Sequence, residues 1–225
     1  MSSARRLALA AAVILATGLL GSRIIDLGPI ATADDDATDW LHDRAVDDAT
    51  IAEVALDVTT IGNPVTLLAL VVLVAGWLLF HRHRRTAWWL VTVTAAASVV
   101  ESLLKVVVGR ARPDFDSAFL DTVSRSFPSG HAMNTTVVLG AITMALVTAA
   151  TSRRALAVPI AASVAAATAL AVGLSRPVLG VHFVSDIVAG WLLGVVWLVL
   201  VRPRRDPERG GANLRPETEP ASASA

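Results

Sequence analysis

The sequence predicts an all-α fold, a polytopic membrane bundle with six transmembrane helices. Hydrophobic residues make up 54% of the 225-residue chain, and its mean hydropathy is +0.62, which is too apolar for an ordinary soluble domain. Several stretches reach the roughly 20 apolar residues that a helix needs to cross the hydrocarbon core of a bilayer. We therefore expect lipid to surround most of this chain.

The predicted spans follow one another as apolar runs separated by charged or turn-forming segments. They cover residues 7–30, 61–80, 86–108, 131–151, 155–174 and 181–201. The fifth span is rich in alanine, a residue that close helix packing inside a membrane favours. We divide the chain into residues 1–60, with the first span and an acidic extracytoplasmic segment, a core of five spans over 61–201, and a polar tail over 202–225 that is predicted to be disordered.

Charge orients the predicted bundle, because basic residues collect on the cytoplasmic side of membrane proteins. Arginines precede the first span and follow the second, fourth and sixth, at Arg5, Arg6, Arg82, Arg84, Arg85, Arg153, Arg154, Arg202, Arg204, Arg205 and Arg209. On the other side, acidic residues in the 26–57 segment far outnumber its one arginine, Arg44. Both termini are therefore predicted to be cytoplasmic. A cleaved signal peptide ending near Ala31-Thr32-Ala33 is the alternative reading of the first span.

Three smaller interpretations concern residues outside the main pattern. A short helix around Trp40 to Leu56 is expected at the outer membrane surface, with His42 in an exposed loop. Arg110 and Arg125 are interpreted as interfacial anchors. The tryptophans are expected to form an interfacial belt, at Trp77, Trp88, Trp89 and Trp197.

Charged and polar residues that border the predicted spans converge on the outer side. They are Lys105, Arg110 and Arg112 after the third span, Ser129, Gly130 and His131 at the start of the fourth, and Ser175, Arg176, His182 and Asp186 around the fifth and sixth. Lysine and arginine at the start of a helix suit an anion such as phosphate, because their donors add to the free backbone N–H groups of Ser129 and Gly130. The chain has no cysteine, so a cysteine nucleophile or thiolate metal site is excluded.

Two histidines beside such an anion site supply a nucleophile and a proton donor for phosphoryl transfer. His182 and Asp186 are four residues apart, so the carboxylate can hold one ring nitrogen and leave the other free to attack phosphorus. His182 is therefore the predicted nucleophile and His131 the predicted general acid. Glu101 lies one helical turn before Lys105, and we predict an ion pair between them; a water-filled cavity around Glu101 is the alternative.

Three sequence segments together resemble the signature of the type 2 phosphatidic acid phosphatase superfamily. They are Lys105 and Arg112-Pro113 separated by six residues, then Pro128-Ser129-Gly130-His131, then Ser175-Arg176 followed after five residues by His182 and after three more by Asp186. The resemblance covers about residues 61–201. It implies a membrane helix bundle and hydrolysis of a phosphomonoester or diphosphate through a phosphohistidine, with no metal or other cofactor.

The resemblance also assigns roles to individual residues. His182 is the nucleophile, His131 the acid and Asp186 the partner of His182. The implied phosphate ligands are Lys105, Arg112, Ser129, Gly130 and Arg176. The expected partners are a membrane lipid phosphate and the bilayer, not nucleic acid, and the sequence leaves the lipid open between phosphatidic acid, phosphatidylglycerol phosphate, an isoprenoid diphosphate and a polyprenyl-linked sugar phosphate.

Two other functions compete with a phosphatase at this point. A vanadate-dependent haloperoxidase resembles the same phosphate site, although such proteins are usually soluble and larger. A lipid-binding or transport protein could keep charged residues in the membrane without turnover. Such a protein would not need both histidines and Asp186 at these spacings.

Overall fold

The computed structural model describes residues 3–115, 119–120, 124–149 and 157–203, and within these residues the only regular elements are helices. The all-α prediction is therefore confirmed over this part of the chain. Most of the predicted tail lies outside the described residues. The helices are α1 (Ser3–Ile25), α2 (Gly28–Asp47), α3 (Ala49–Ile61), α4 (Pro64–Phe80), α5 (Arg84–Val108), α6 (Gly130–Ala149), α7 (Ala157–Val178) and α8 (Val184–Leu200).

Several of these helices can cross a membrane. By length and composition, α1, α5, α6 and α7 each qualify as a span, and α3 with α4 qualifies as a fifth if the 41° bend between them is accepted. Helix α8 is apolar but has only 17 residues, fewer than the roughly 20 that a straight span needs. The described residues thus form a polytopic membrane bundle, and the count of six spans stays a prediction.

Local sequence explains where α3 and α4 begin and where α5 ends. The Asp48 side chain accepts a hydrogen bond from the Thr50 N–H at 2.8 Å and starts α3. Asn63 does the same for α4 through the Val65 N–H at 2.9 Å. At the other end of α5, Gly109 adopts φ 68°, a left-handed conformation that glycine adopts without a steric penalty.

Helix α6 lies at the centre of the bundle and packs against α4, α5, α7 and α8. One apolar cluster joins α1, α5, α6 and α8, and a second joins α4, α5 and α6. Two glycines of α8 allow it to approach α6 closely: a Cβ on Gly190 would lie 2.9 Å from the Ser129 carbonyl oxygen, and one on Gly194 would lie 3.2 Å from that of Met133. Small residues at this spacing are typical of tightly packed membrane helices, and here they bring the start of α8 beside the start of α6.

The acidic N-terminal segment differs from its prediction. Instead of one short surface helix it forms α2 and α3, and both pack against α7. His42 is not in an exposed loop but is buried within α2, with its Nδ1 3.1 Å from the Val178 carbonyl oxygen and its ring 4.1 Å from that of Phe115. The prediction was wrong because local sequence does not reveal that α7 covers this face of α2.

One tryptophan of the predicted belt also lies elsewhere. Trp197 is fully buried in the cluster around α6, and its indole N–H donates to the Val93 carbonyl oxygen at 3.2 Å. It is therefore a core residue, because its partner comes from α5 rather than from the membrane interface. Trp77 and Trp88 are exposed on the outside of the bundle, as a belt requires.

Candidate active site

The predicted site residues meet at one end of the bundle, where α5 and α7 end and α6 and α8 begin. A cavity of about 430 Å³ opens there. Six of the eight residues predicted from the sequence line it, namely Lys105, Arg112, Gly130, His131, Arg176 and His182. Asp186 lies directly behind His182, and Ser129 lies at the start of α6.

His182 is held by a small buried network. Its side chain is almost fully buried, and its Nδ1 is 3.3 Å from both Asp186 Oδ2 and Ser126 Oγ. The Ser126 hydroxyl and the Phe183 N–H also donate to Asp186 Oδ2, the latter at 3.1 Å. With Nδ1 occupied in this way, Nε2 is the ring nitrogen left for chemistry.

The contact between His182 and Asp186 has a different origin from the one predicted. Helix α8 begins at Val184, so His182 precedes the helix and the two residues do not share a helical face. Asp186 occupies the third helical position and its carboxylate accepts from the Phe183 N–H, which is one half of a capping box, because phenylalanine has no side-chain acceptor for the other half. The helix start therefore places the carboxylate beside the imidazole.

Burial sets the protonation of His182. Removal from water disfavours the imidazolium more than the hydrogen bond and charge of Asp186 favour it, and together with the positive charges of Arg112 and Lys105 this lowers the pKa of His182 to about 4. The ring is therefore neutral at pH 7. A neutral imidazole with one nitrogen anchored is the form that can act as a nucleophile.

Lys105 enters the cavity from the last turn of α5. Its Nζ lies 3.3 Å from Glu101 Oε1, the ion pair predicted from their spacing, and donates to the Arg125 carbonyl oxygen at 3.1 Å. A Cβ on Gly130 would lie 2.7 Å from Glu101 Oε1. Glycine at this position therefore gives the Glu101 carboxylate room to lie against the start of α6.

Arg112 fixes the connection between α5 and α6. Its Nε donates to the Ser124 carbonyl oxygen at 2.7 Å, its Nη2 donates to Ser124 Oγ at 2.8 Å, and its Nη1 donates to the Val181 carbonyl oxygen. These bonds tie the connection to the turn that carries His182. The guanidinium still lines the cavity and presents its positive charge there.

Arg176 reaches the cavity from inside α7. The sequence predicts that this helix ends at residue 174, but it continues to Val178. The Arg176 side chain is 3% exposed, its Nη1 donates to Thr59 Oγ1 at 2.7 Å, and its Nε has no hydrogen-bond partner within the described part of the chain. Because an unpaired buried donor costs roughly 1–3 kcal/mol, this N–H is a ready ligand for an anion.

The start of α6 contributes His131, and the backbone N–H of Ser129 just before it is already engaged. His131 is half-buried and lines the cavity from the first turn. The backbone N–H of Ser129, predicted to bind phosphate, donates instead to the Asp186 carbonyl oxygen at 3.1 Å. Its hydroxyl oxygen accepts from the Ala132 N–H at 3.4 Å. Ser129 therefore joins α6 to α8, since the close approach of these helices leaves its N–H no access to the cavity.

Arg110, interpreted from the sequence as a membrane anchor, is part of the site. Its Nη1 donates to Asp186 Oδ1 at 2.7 Å and to Ser185 Oγ at 2.7 Å, and its Nη2 donates to Asp34 Oδ2 at 2.8 Å. Although burial opposes its charge, Asp186 and Asp34 raise the pKa of Arg110. The sequence held two signals for this role: Arg110 is one of the charged residues that converge on the outer side, and carboxylates are in excess in the 26–57 segment, predicted for the same side.

An apolar groove extends the cavity away from the charged end. It runs between α4, α5 and α6 and is lined by Leu67, Leu68, Val71, Val91 and Val138. From Lys105 to Val91 the wall follows α5 for 14 residues, or roughly 21 Å at 1.5 Å per residue. One cavity therefore joins a cationic, histidine-bearing end to an apolar wall within the membrane.

The lining residues suit an anion better than a metal ion. Within the described ranges no group of three or more His, Cys, Asp or Glu side chains is arranged to hold a metal. Three cationic side chains, a neutral histidine with a fixed carboxylate partner and a second histidine can bind a phosphate, attack it and protonate a leaving group.

Comparison with known proteins finds a superfamily match and sequence relatives over part of the chain. The sequence model described as "PAP2 superfamily" matches residues 86–208. Phosphatidylglycerophosphatase B of Bacillus subtilis is 35% identical over 152 residues, which are 67% of this chain and 73% of that protein. Decaprenylphosphoryl-5-phosphoribose phosphatase of Mycobacterium tuberculosis is 35% identical over 130 residues, 56% of this chain and 64% of that protein.

The fold also has a counterpart among crystal structures. A transmembrane PAP2 type phosphatidylglycerolphosphate phosphatase from Bacillus subtilis superposes with a TM-score of 0.76 over 92% of this chain and 98% of its own, at 24% identity. At this identity the likeness speaks to the fold alone. The superposition includes most of the N-terminal region that the superfamily match leaves out.

Proposed function

The chain belongs to the PAP2 superfamily, and on this premise we propose that it is an integral membrane lipid phosphatase that works through a phosphohistidine on His182. The names of both sequence relatives describe phosphatases of lipid phosphates, in agreement with the class expected from the sequence. The observation that carries the proposal is the single cavity that joins the cationic, histidine-bearing end to the apolar groove. A lipid phosphate has the same two parts, an anionic head and an apolar tail.

The reaction proceeds in two phosphoryl-transfer steps. Lys105, Arg112 and Arg176 bind the non-bridging phosphate oxygens and stabilise the charge that spreads over them in the transition state. His182 Nε2 attacks phosphorus as the bond to the leaving oxygen breaks, and His131 donates a proton to that oxygen. Water then attacks the phosphohistidine, His131 accepts a proton from it, and cleavage of the P–N bond releases inorganic phosphate and restores His182.

Asp186 supports both steps without touching the substrate. Its carboxylate accepts from His182 Nδ1 and so selects the tautomer whose Nε2 carries the free electron pair. When Nε2 binds phosphorus the ring becomes positively charged, and the carboxylate stabilises that charge. Neutral His182 in the free enzyme follows from its burial.

The substrate is a lipid phosphate monoester or diphosphate whose tail remains in the bilayer. Phosphatidylglycerol phosphate, phosphatidic acid, an isoprenoid diphosphate and a polyprenyl-linked sugar phosphate all present a terminal phosphate beside an apolar chain. The cationic end recognises the phosphate that these lipids share. The groove between α4, α5 and α6 accommodates part of the tail, where apolar contact contributes roughly 25 cal/mol per Å² of buried area.

We place the site on the extracytoplasmic side, with both termini in the cytoplasm. Support comes from the arginine groups that border the opposite ends of the predicted spans and from the acidic α2, which lies at the site end. Because the chain has no cysteine, the single-substitution variants Asp35→Cys and His83→Cys each carry one thiol, which can be labelled in intact cells with a membrane-impermeant maleimide. Labelling at position 35 and not at 83 is expected, and the reverse pattern would overturn this orientation.

Phosphate release from purified protein in lipid nanodiscs tests the function. The four lipid classes are presented to the wild type, to His182→Ala and to the control His83→Ala, whose histidine precedes α5 at the far end of the bundle. Phosphate release by the wild type and the control, but not by His182→Ala, is expected. If the wild type hydrolyses no lipid phosphate, the proposal is wrong. Peroxide-dependent bromide oxidation after addition of vanadate would then indicate a haloperoxidase, and lipid transfer would indicate a lipid-binding or transport protein.

A further inference from the structure

We propose that Asp34 and Arg110 form a positioning pair that fixes the Asp186 carboxylate, so that α2 is a working part of the catalytic centre. The inference rests on the proposed function, in which Asp186 orients the nucleophile. Arg110 and Asp186 lie within the superfamily match over residues 86–208, whereas Asp34 precedes it. We refer to Asp34, Arg110 and Asp186 together as the carboxylate clamp.

The guanidinium of Arg110 forms the centre of the carboxylate clamp. Its Nη1 lies 2.7 Å from Asp186 Oδ1 and its Nη2 lies 2.8 Å from Asp34 Oδ2. The flat face of the same group lies over the Phe183 ring, with Cζ 4.1 Å from the ring centroid. Contacts at two edges and one face leave a planar group little freedom to rotate.

Asp34 in turn is fixed to the first turn of α8. Its Oδ1 accepts from the Ser185 N–H at 2.8 Å, and the Ser185 hydroxyl donates to its Oδ2. One turn further along α2, Thr38 Oγ1 accepts from the Val184 N–H at 3.2 Å. Helix α2 thus satisfies two of the backbone N–H groups that the start of α8 leaves without an intrahelical partner.

The consequence for catalysis comes from how the two Asp186 oxygens are divided. Arg110 occupies Oδ1, while Oδ2 faces His182, Ser126 and the Phe183 N–H. A carboxylate can rotate about its Cβ–Cγ bond, and a bond at Oδ1 fixes that rotation. Arg110 therefore controls the direction in which Oδ2 approaches the imidazole, and Asp34 controls Arg110.

A purely stabilising role does not explain the arrangement well. One arginine between two nearly buried carboxylates carries a large desolvation cost, and apolar residues often stabilise such positions equally well. The exposed neighbours Asp35 and Asp36 share the charge of Asp34 but have none of its contacts to α8. The buried charge at Asp34 is better explained by the geometry that it imposes on Asp186.

The first test compares Asp34→Asn with its matched control Asp35→Asn. Misplacement of a catalytic group by about 1 Å can lower the rate about 100-fold, so we expect kcat of Asp34→Asn to fall about 10- to 100-fold. KM should stay within about threefold, because the phosphate ligands do not touch Asp34. Asp35→Asn, on the same helix with the same change of charge, should match the wild type.

The second test asks whether Asp34 acts through Arg110. The double variant Asp34→Asn with Arg110→Gln should be no slower than Arg110→Gln alone, because the carboxylate clamp is already broken. Arg110→Gln should also move the acidic limb of the kcat/KM profile to higher pH, because it removes a positive charge beside the partner of His182. If Asp34→Asn does not fold, Arg110→Lys keeps the charge without the two-edged fork and should show the same loss of kcat.

Two results would overturn the positioning role. One is that Asp34→Asn and Asp35→Asn have equal kcat. The other is that Asp34→Asn lowers only the unfolding temperature and the fraction of protein that binds vanadate, with kcat per active molecule and the pH profile unchanged. Either result with an active wild type refutes this inference alone, whereas a wild type that releases no phosphate from any lipid refutes the proposed function.

Discussion

The replacement Asp186→Asn tests the proposed nucleophile most directly. Four donors converge on the carboxylate, from Arg110, Ser126, the Phe183 N–H and His182. An asparagine can offer an acceptor on only one side. If its NH₂ group faces His182, Nδ1 must become the acceptor and the proton moves to Nε2, so that Nε2 loses the electron pair with which it attacks phosphorus.

The expected loss follows from the bond to His182. A hydrogen bond to a charged group contributes roughly 1.5–3 kcal/mol, and each 1.4 kcal/mol of barrier is about tenfold in rate. Loss of this bond alone should therefore lower kcat about 10- to 150-fold. The corresponding change in a Ser-His-Asp triad lowers kcat about 10⁴-fold through the wrong tautomer, which gives an upper bound.

The assay measures phosphate release from a lipid phosphate in nanodiscs, with the amount of labelled phosphoenzyme determined after a rapid quench in base. Asp36→Asn is the control, because Asp36 is exposed on α2. Ser126→Ala, which removes a single donor from the same carboxylate, should give a smaller loss. If Asp186→Asn keeps kcat within about threefold of the wild type and forms the phosphoenzyme equally fast, Asp186 does not orient the nucleophile.

Three further predictions follow from the site. Gly130→Ala places a Cβ 2.7 Å from Glu101 Oε1 and should lower kcat/KM at least about tenfold if the phosphate ligands move by even 1 Å. Gly76→Ala is the control, because no atom lies within 4 Å of its Cβ, and it should have no effect. Equal activities of the two variants would contradict the close packing at Gly130. Because burial lowers the pKa of His182 to about 4, the acidic limb of kcat/KM, corrected for the substrate phosphate ionisation at about pH 6, should lie near pH 4. An acidic limb between pH 6 and 7 would show that His182 is not desolvated, whereas a basic limb reports loss of the proton that His131 donates. Activity should survive dialysis against EDTA, and a loss restored by a divalent cation would contradict direct attack by histidine without a metal.

Much of the fold and of the site was predictable from the sequence because the signals are local. Apolar runs predicted an all-helical membrane protein, and three short segments predicted membership of a phosphatase superfamily; both predictions are confirmed. The Glu101–Lys105 ion pair followed from helical spacing and is present. The roles of His182, His131 and the phosphate ligands stay predictions that the experiments above test.

The errors share one physical cause, which is that burial depends on what packs from a distant part of the chain. His42 was predicted to be a loop residue, but α7 covers it. Trp197 was predicted to be interfacial, but it is buried and donates to a carbonyl oxygen of α5. The Ser129 N–H was predicted to be a free donor at a helix start, but the glycines of α8 allow that helix to lie close enough for the Asp186 carbonyl oxygen to accept from it. Arg110 reads as an anchor until two carboxylates from other helices reach it.

The sequence by itself determined the chemistry of this protein, because the kinds of side chain, their order and their spacing are covalent properties. It determined that cations, two histidines and an aspartate border apolar helices, which is enough to predict a phosphate site in a membrane. Only the tertiary structure decided which of those groups are free to act. Folding brings α2 and α3 beside α7, brings α2 beside α8 and occupies the Ser129 N–H. It also leaves Arg176 Nε without a hydrogen-bond partner among the described residues and places Arg110 between Asp34 and Asp186. These are outcomes of long-range packing that no local pattern records.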